Sequence, residues 1–272
     1  MPVRRLIAVA AALIALCMAG AALAGDLPAA TRKKAPAVVL TAPAWQSGAY
    51  WANVDRQLLV DFGNLARYRA ADRRLGPPAP GTDRVVFDGD SITEGWKLES
   101  SFPGKTYINR GISGQTSSQI LVRFRQDVID LHPKVVVILA GTNDLAGNTG
   151  PASLAQIEGN LESMAQLARA NGIGVVLCSL LPTVHYWWHP QVPNPAHRIA
   201  AINRWLRAYA AREHYVYVNY YGAMKDAAGG LRHDLSPDGV HPSPAGYAVM
   251  APLAQSGIDQ ALERQRAESG RR

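Results

Sequence analysis

The sequence predicts an α/β protein of three layers (α/β/α), with a doubly wound, five-stranded parallel sheet between helices. Three observations carry this. Five short apolar runs recur along the chain, helical patterns fill the intervals between them, and the first run leads into Gly89-Asp90-Ser91, a turn that leaves a side chain at the carboxyl edge of a parallel sheet. No internal repeat and no second domain is visible in the 272 residues.

Taken in order, Arg4 and Arg5 precede an alanine-rich apolar stretch that starts at Leu6, and Ala22-Leu23-Ala24 has the small-x-small pattern of a signal-peptidase site. Residues 1–24 therefore read as a signal peptide cleaved after Ala24, and the protein as exported, periplasmic or secreted, with no membrane span left after removal. The stretch from Leu6 to Ala24 is nearly long enough to cross a bilayer, which makes an uncleaved anchor the alternative. Cys17 does not mark a lipoprotein, because Leu16 stands where a lipobox has a small residue. Residues 25–48 are rich in alanine and proline without a period and read as a flexible tether. Trp51, Val54, Leu58, Phe62 and Leu65 then recur at spacings of three and four, an apolar stripe that predicts a first helix with Trp51 and Phe62 packed on the core. Arg73 to Gly81 forms a link rich in proline and glycine.

Strands are expected near Arg84 to Asp88, Thr106 to Asn109, Val135 to Ala140, Val175 to Leu180 and Val216 to Tyr220. They are continuous apolar runs, as strands buried on both faces require. Helices are expected over Ser117 to Leu131, Ser153 to Asn171, Ala196 to His214 and Pro244 to Arg266, so that one domain spans 49–266 and a basic tail 267–272. The loop Pro182 to Pro195, between the fourth strand and its helix, projects from the same sheet edge as Ser91. Its Trp187 and Trp188 could stack on a sugar or line an acyl pocket, with packing of the loop as the competing role.

The formal charge is +7, and loss of Arg4 and Arg5 would leave +5, much of it at the chain ends in Arg32-Lys33-Lys34, Arg264, Arg266, Arg271 and Arg272. No basic module interleaved with aromatics appears, so nucleic acid is not an expected partner. No Gly-x-Gly-x-x-Gly or Walker-type loop appears, so no flavin, nicotinamide or nucleotide cofactor is indicated. His185, His189 and His197 crowd one segment, but Pro190, Pro193 and Pro195 make it a loop, and no metal-ligand spacing is present. After cleavage Cys178 is the one remaining cysteine, and its apolar run makes it a buried, inert thiol.

The chemistry-bearing residues are Ser91, Asp238 and His241, the set needed for acyl transfer through a covalent ester. A serine hydroxyl needs a base within hydrogen-bond reach, and the His241 imidazole is the candidate. Asp238 lies three residues earlier on a segment broken by Pro237, Gly239 and Pro242, so a tight turn brings its carboxylate to the far ring nitrogen. His233 is a competing base that lacks this framing. The Gly-x-Ser-x-Gly elbow is absent, because Thr93 stands at the second position after Ser91.

Four blocks in order, Gly89-Asp90-Ser91-Ile92-Thr93, Asn109 to Thr116, Gly141-Thr142-Asn143-Asp144 and Asp238-Gly239-Val240-His241-Pro242, resemble the SGNH subgroup of the GDSL hydrolases over about residues 83–250. The resemblance implies a flavodoxin-like strand order, Ser91 as nucleophile, Asp238 and His241 as its triad partners, and Ser91, Gly114 and Asn143 as the oxyanion hole. Three neutral donors, two backbone N–H groups and the Asn143 amide, suit a negative oxygen, and glycine at 114 lets the backbone approach the substrate. Asp90 and Asp144 read as hydrogen-bonding supports. The family acts on small-molecule and glycan esters without a cofactor. Export and the aromatic loop point to a carbohydrate O-acetyl ester. A lysophospholipase or thioesterase activity, or O-acyl transfer to a glycan, is the alternative.

Overall fold

The computed structural model describes Arg56 and residues 58–269. The expected signal peptide, the tether, Trp51 and Val54 of the first helix, and 270–272 of the tail lie outside the described residues.

The five strands are β1 (Val85–Gly89), β2 (Tyr107–Gly111), β3 (Val135–Leu139), β4 (Gly174–Cys178) and β5 (Val216–Val218). All pairs are parallel and the order is β2-β1-β3-β4-β5, so the chain winds outward in one direction to β2 and then in the other from β3. This is the doubly wound, flavodoxin-like order. Its switch point lies between β1 and β3, where such sheets open a crevice at their carboxyl ends. Gly89 pairs with both Gly111 and Leu139, so these three strands end level and their loops leave at one edge.

Side chains alternate between the two faces. Val86, Val136, Ile138, Val175 and Leu177 share a core with Ile120, Phe124, Leu161, Met164, Ile202 and Leu206. These come from α4 (Ser117–Asp127), α6 (Leu154–Ala170) and α7 (Ala196–Arg212). Val85, Phe87, Val135, Val137 and Val176 pack on the opposite face against Trp96, Met250, Ala254 and Ile258. That layer holds α9 (Pro244–Ser269) and the short α2 (Ser91–Glu94), α3 (Leu98–Ser101) and α8 (Tyr220–Met224). Gly257 lets α9 lie close on the sheet, since a Cβ there would stand 2.5 Å from Val218 Cγ2. Two of the long helices start at capping boxes, Thr116 with Gln119 and Ser153 with Gln156. Outside these layers α1 (Arg69–Leu75) lies near β2 and α5 (Thr142–Ala146) follows β3.

Three expectations need correction. The first helix stops at Val60, because the Asp61 carboxylate accepts the N–H groups of Leu65 (2.8 Å) and Ala66 (3.0 Å) and Asn64 turns left-handed. Phe62 is consequently 41 % exposed rather than packed in the core. The helix expected to run to Leu131 ends at Asp127, and a 3₁₀ turn, Ile129–Leu131, closes on left-handed His132. At the other end α9 continues to Ser269, through the first residues assigned to a tail. Among the described residues no helix is long and apolar enough to cross a membrane.

Candidate active site

Ser91 is delivered by the end of β1. Gly89 is required there, since a Cβ would lie 2.3 Å from Thr93 Oγ1 and 2.5 Å from the Leu139 carbonyl. Asp90 caps α2, its Oδ1 accepting the Ile92 N–H at 2.9 Å, so Ser91 becomes the first residue of that helix. Ser91 Oγ lies 2.9 Å from His241 Nε2, and His241 Nδ1 lies 2.7 Å from Asp238 Oδ2. Asp238 closes the turn that makes this geometry. Its Oδ1 accepts the N–H groups of Val240 (2.9 Å) and His241 (2.8 Å), while Gly239 takes φ +76°. Ser236 braces the turn by donating to the His241 carbonyl at 2.7 Å and accepting from Gly239 N–H at 2.9 Å.

Burial pushes the Asp238 carboxyl up, but the His241 backbone N–H, the His241 ring and the Val240 N–H outweigh it and hold the group at about 2. An ionised carboxylate only accepts, which assigns the ring proton to Nδ1 and leaves Nε2 as an acceptor for the Ser91 hydroxyl. The competing base, His233, is exposed between Arg232 and Asp234, which form an ion pair of 2.6 Å, whereas His241 is the imidazole within reach of Ser91 Oγ.

The loops after β2 and β3 bring Gly114 and Asn143 to the same edge. Asn143 is buried, and its Nδ2 donates to the Gln115 carbonyl at 3.0 Å and to Asp90 Oδ2 at 3.3 Å. Its neighbours are thus the residue before Ser91 and the residue after Gly114. Gly114 takes φ +79°, a conformation other residues adopt at a cost. Burial raises the Asp90 carboxyl to about 6 against the Ile92 N–H, which lowers it. Asp144 does not face this site. It holds the start of α4, accepting from Ser117 N–H at 2.7 Å and Ser117 Oγ at 2.5 Å.

Several residues that support the site gave no signal in the sequence. Arg123 is fully buried under the edge: its Nη2 donates to the Gly89 carbonyl at 2.8 Å, its Nε to Gln115 Oε1 at 2.6 Å and its Nη1 to Asp127 Oδ2 at 3.1 Å. Nη1 also lies 2.8 Å from Asp88 Oδ1. One guanidinium therefore ties the strand before Ser91 to the loop after Gly114. Glu94 holds Ser113 through its N–H (2.8 Å) and its hydroxyl, and is itself paired with Arg67 at 2.9 Å. Tyr68 donates to the Gly111 carbonyl, and Asp72 of α1 pairs with Arg110, so α1 and the residue that caps it brace β2.

The two tryptophans separate. Trp188 is 5 % exposed, packed against Tyr186 with ring centroids 5.1 Å apart, and its Nε1 donates to Asn148 Oδ1 at 3.0 Å. Burial removes it as a stacking platform. Trp187 is 51 % exposed and donates from Nε1 to Asp238 Oδ2 at 3.2 Å, on the oxygen that holds His241. Cys178 is buried, its thiol pushed up to about 12 by burial. Among the described residues no group of three or more His, Cys, Asp or Glu side chains is placed to hold a metal ion.

A parallel sheet with a serine, a histidine and an aspartate hydrogen-bonded in series at its carboxyl edge defines the class: this is a serine ester hydrolase. The chain belongs to the GDSL-like Lipase/Acylhydrolase family, whose model matches residues 87–249. It is 36 % identical over 175 residues to Esterase TesA of Pseudomonas aeruginosa, a match spanning 58 % of this chain and 79 % of that one. It is similar to the solved structure of a GDSL-like lipase from Bacteroides thetaiotaomicron, at 42 % identity and a TM-score of 0.72, covering 74 % of this chain and 100 % of that one. A solved chain from Bacteroides fragilis is similar at 43 % identity and the same TM-score of 0.72, covering 74 % and 99 %.

Proposed function

We propose that Ser91 is the nucleophile, His241 its general base and Asp238 the acid that orients the base, with Ser91 N–H, Gly114 N–H and Asn143 Nδ2 as the oxyanion hole. The observation that carries this reading is the unbroken hydrogen-bond series from Asp238 Oδ2 through His241 to Ser91 Oγ, at 2.7 Å and 2.9 Å. In the first step Ser91 Oγ adds to the ester carbonyl while its proton passes to Nε2, and Asp238 balances the imidazolium. The tetrahedral oxygen then takes the Asn143 hydrogen that otherwise reaches Asp90 at 3.3 Å, the longer of the two contacts that amide makes. Collapse passes the Nε2 proton to the departing alkoxide and leaves an acyl-serine. Water, deprotonated by Nε2, repeats the sequence and releases the acid. Ser91→Ala should abolish turnover with the fold intact. Retention of more than about a hundredth of the wild-type rate contradicts the assignment, since a triad member contributes several orders of magnitude.

The substrate we propose is a carbohydrate O-acetyl ester met outside the cytoplasm. The signal-like sequence of residues 1–24 supports export, and the exposed indole of Trp187 beside Asp238 supports contact with a sugar face. A stacking contact is worth about 1 kcal/mol, so Trp187→Ala should reduce kcat/KM on an acetylated glycan about fivefold more than on nitrophenyl acetate, while Trp187→Phe keeps the preference. Equal losses on both substrates in Trp187→Ala remove the platform. A rate that climbs with acyl length across nitrophenyl esters removes the acetyl reading, and an amino terminus other than Gly25 on protein recovered from the periplasm or medium removes the cleavage after Ala24.

A further inference from the structure

We propose that Asn148 is a positioning residue of the oxyanion hole and that Trp188 sets its orientation. The inference rests on Gly114 and Asn143 being oxyanion donors. Asn148 is the side chain that joins these two residues: its Nδ2 donates to the Gly114 carbonyl at 2.9 Å and to Asn143 Oδ1 at 3.0 Å. Its backbone N–H also donates to the Asn143 carbonyl at 3.0 Å, so Asn148 and Asn143 are tied at the main chain as well.

An amide has a donor end and an acceptor end of nearly the same shape, and an oxyanion hole works only with the donor end inward. The polarity here is forced from outside. An indole N–H can only donate, so the Asn148 atom 3.0 Å from Trp188 Nε1 is Oδ1. Nδ2 must then face the Gly114 carbonyl, which can only accept, and the same nitrogen obliges Asn143 to turn Oδ1 toward it. Nδ2 of Asn143 is left pointing at the Gln115 carbonyl and Asp90, beside Ser91. A buried tryptophan at one end and backbone carbonyls at the other therefore fix both amides in a single sense. The bond to the Gly114 carbonyl also holds the 114–115 peptide of the loop whose Gly114 N–H serves the same oxygen.

The test is kcat and KM on nitrophenyl acetate for Asn148→Ala, Asn148→Asp and Trp188→Phe, with Asn143→Ala as reference and melting temperatures throughout. Both Asn148 variants should lose about tenfold or more in kcat at pH about 8 with KM changed less than about twofold, because an oxyanion donor acts on the transition state. Trp188→Phe keeps an aromatic ring in the packing and removes the N–H, and should lose kcat severalfold. The Asn148→Asp variant carries the decisive signature. A carboxylate at 148 meets Asn143 Oδ1 and the Gly114 carbonyl with no hydrogen to give, whereas a protonated carboxyl donates again. Its rate relative to wild type at the same pH should therefore recover as pH falls, with Asp90, Asp144 and His241, common to both proteins, cancelling in the ratio. A deficit that is independent of pH and follows the melting temperature overturns the inference. So does wild-type kcat in Asn148→Ala and Trp188→Phe alongside a severe Asn143→Ala. Near-normal kcat in Asn143→Ala itself instead removes the oxyanion assignment, and this inference falls with it.

Discussion

At Asp238 four N–H groups converge on one carboxylate: the Val240 and His241 backbones on Oδ1, and the His241 ring and Trp187 indole on Oδ2. Burial pushes the group up, but the His241 backbone N–H, the His241 ring and the Val240 N–H hold it at about 2. A depressed carboxyl stabilises the fold fully above the unfolded carboxylate range and loses that contribution as pH falls toward 2. Asp238→Asn should accordingly flatten the loss of unfolding free energy below pH about 4, measured by urea titration. An acid limb as steep as the wild type's would contradict the assigned cause. Asn143→Ala should lower kcat roughly a hundredfold or more with a smaller effect on KM, and Asn143→Asp should be at least as damaging. A near-normal kcat in either variant takes Asn143 out of the oxyanion hole. Ser91, Gly114, Asn143, Asp238 and His241 were legible because each stands in a short block whose order along the chain is diagnostic. Asn148 was not, since an asparagine four residues past a motif carries no local signal and its meaning comes from Trp188, which lies 40 residues further on.

The elements that carry the site are short, and the sequence hid most of them. Helices α2, α3, α5 and α8 have four or five residues, little more than one turn, so no apolar period could announce them. The strands were visible because all five residues of β1 and of β3 are buried, so that β3 is apolar throughout and β1 opens on Val85-Val86-Phe87 before the buried Asp88, and the long helices were visible through their stripes. The first helix misled for a physical reason: its apolar spacing continues through Leu65, but the side chain of Asp61 captures the N–H groups that a helix would have used. Close approach between elements gives a test at this scale. At Gly111 a Cβ would stand 2.1 Å from the Glu94 backbone nitrogen, and backbone cannot step aside, so Gly111→Ala should cost roughly 3 kcal/mol or more and disturb activity. At Gly257 the obstacle is the end of the Val218 side chain, so Gly257→Ala should cost about 1–3 kcal/mol and leave kcat intact. Urea unfolding with parallel assays checks both, and a smaller loss at Gly111 than at Gly257 would reverse the account.

Across the whole molecule, the sheet's switch point and the buried Arg123 cluster decide where chemistry can occur. Level strand ends put three motif loops at one edge, and Arg123 joins the end of β1 to the loop after β2 from beneath. Removing the guanidinium strands Asp88 and Asp127, so Arg123→Met should destabilise the fold by about 3–5 kcal/mol in urea titration, and a change under about 1 kcal/mol would show that the cluster is dispensable. Burial raises Asp88 to about 7 and Asp90 to about 6. Groups raised in this way stabilise fully below the unfolded carboxyl range and lose that contribution as pH climbs through the folded values. The wild type should therefore lose stability between pH about 4 and about 7, and Asp90→Asn should lose less over the same span. An equal slope in the two proteins would contradict the burial argument. The central claim, that Ser91 is the nucleophile of an acyl-enzyme cycle, is tested most directly by intact-mass and peptide analysis after treatment with a fluorophosphonate. The wild type should gain one phosphonyl group, on the peptide that holds Ser91, and Ser91→Ala should gain none. A folded, ester-hydrolysing protein that takes no label, or takes it on another residue, would contradict the account.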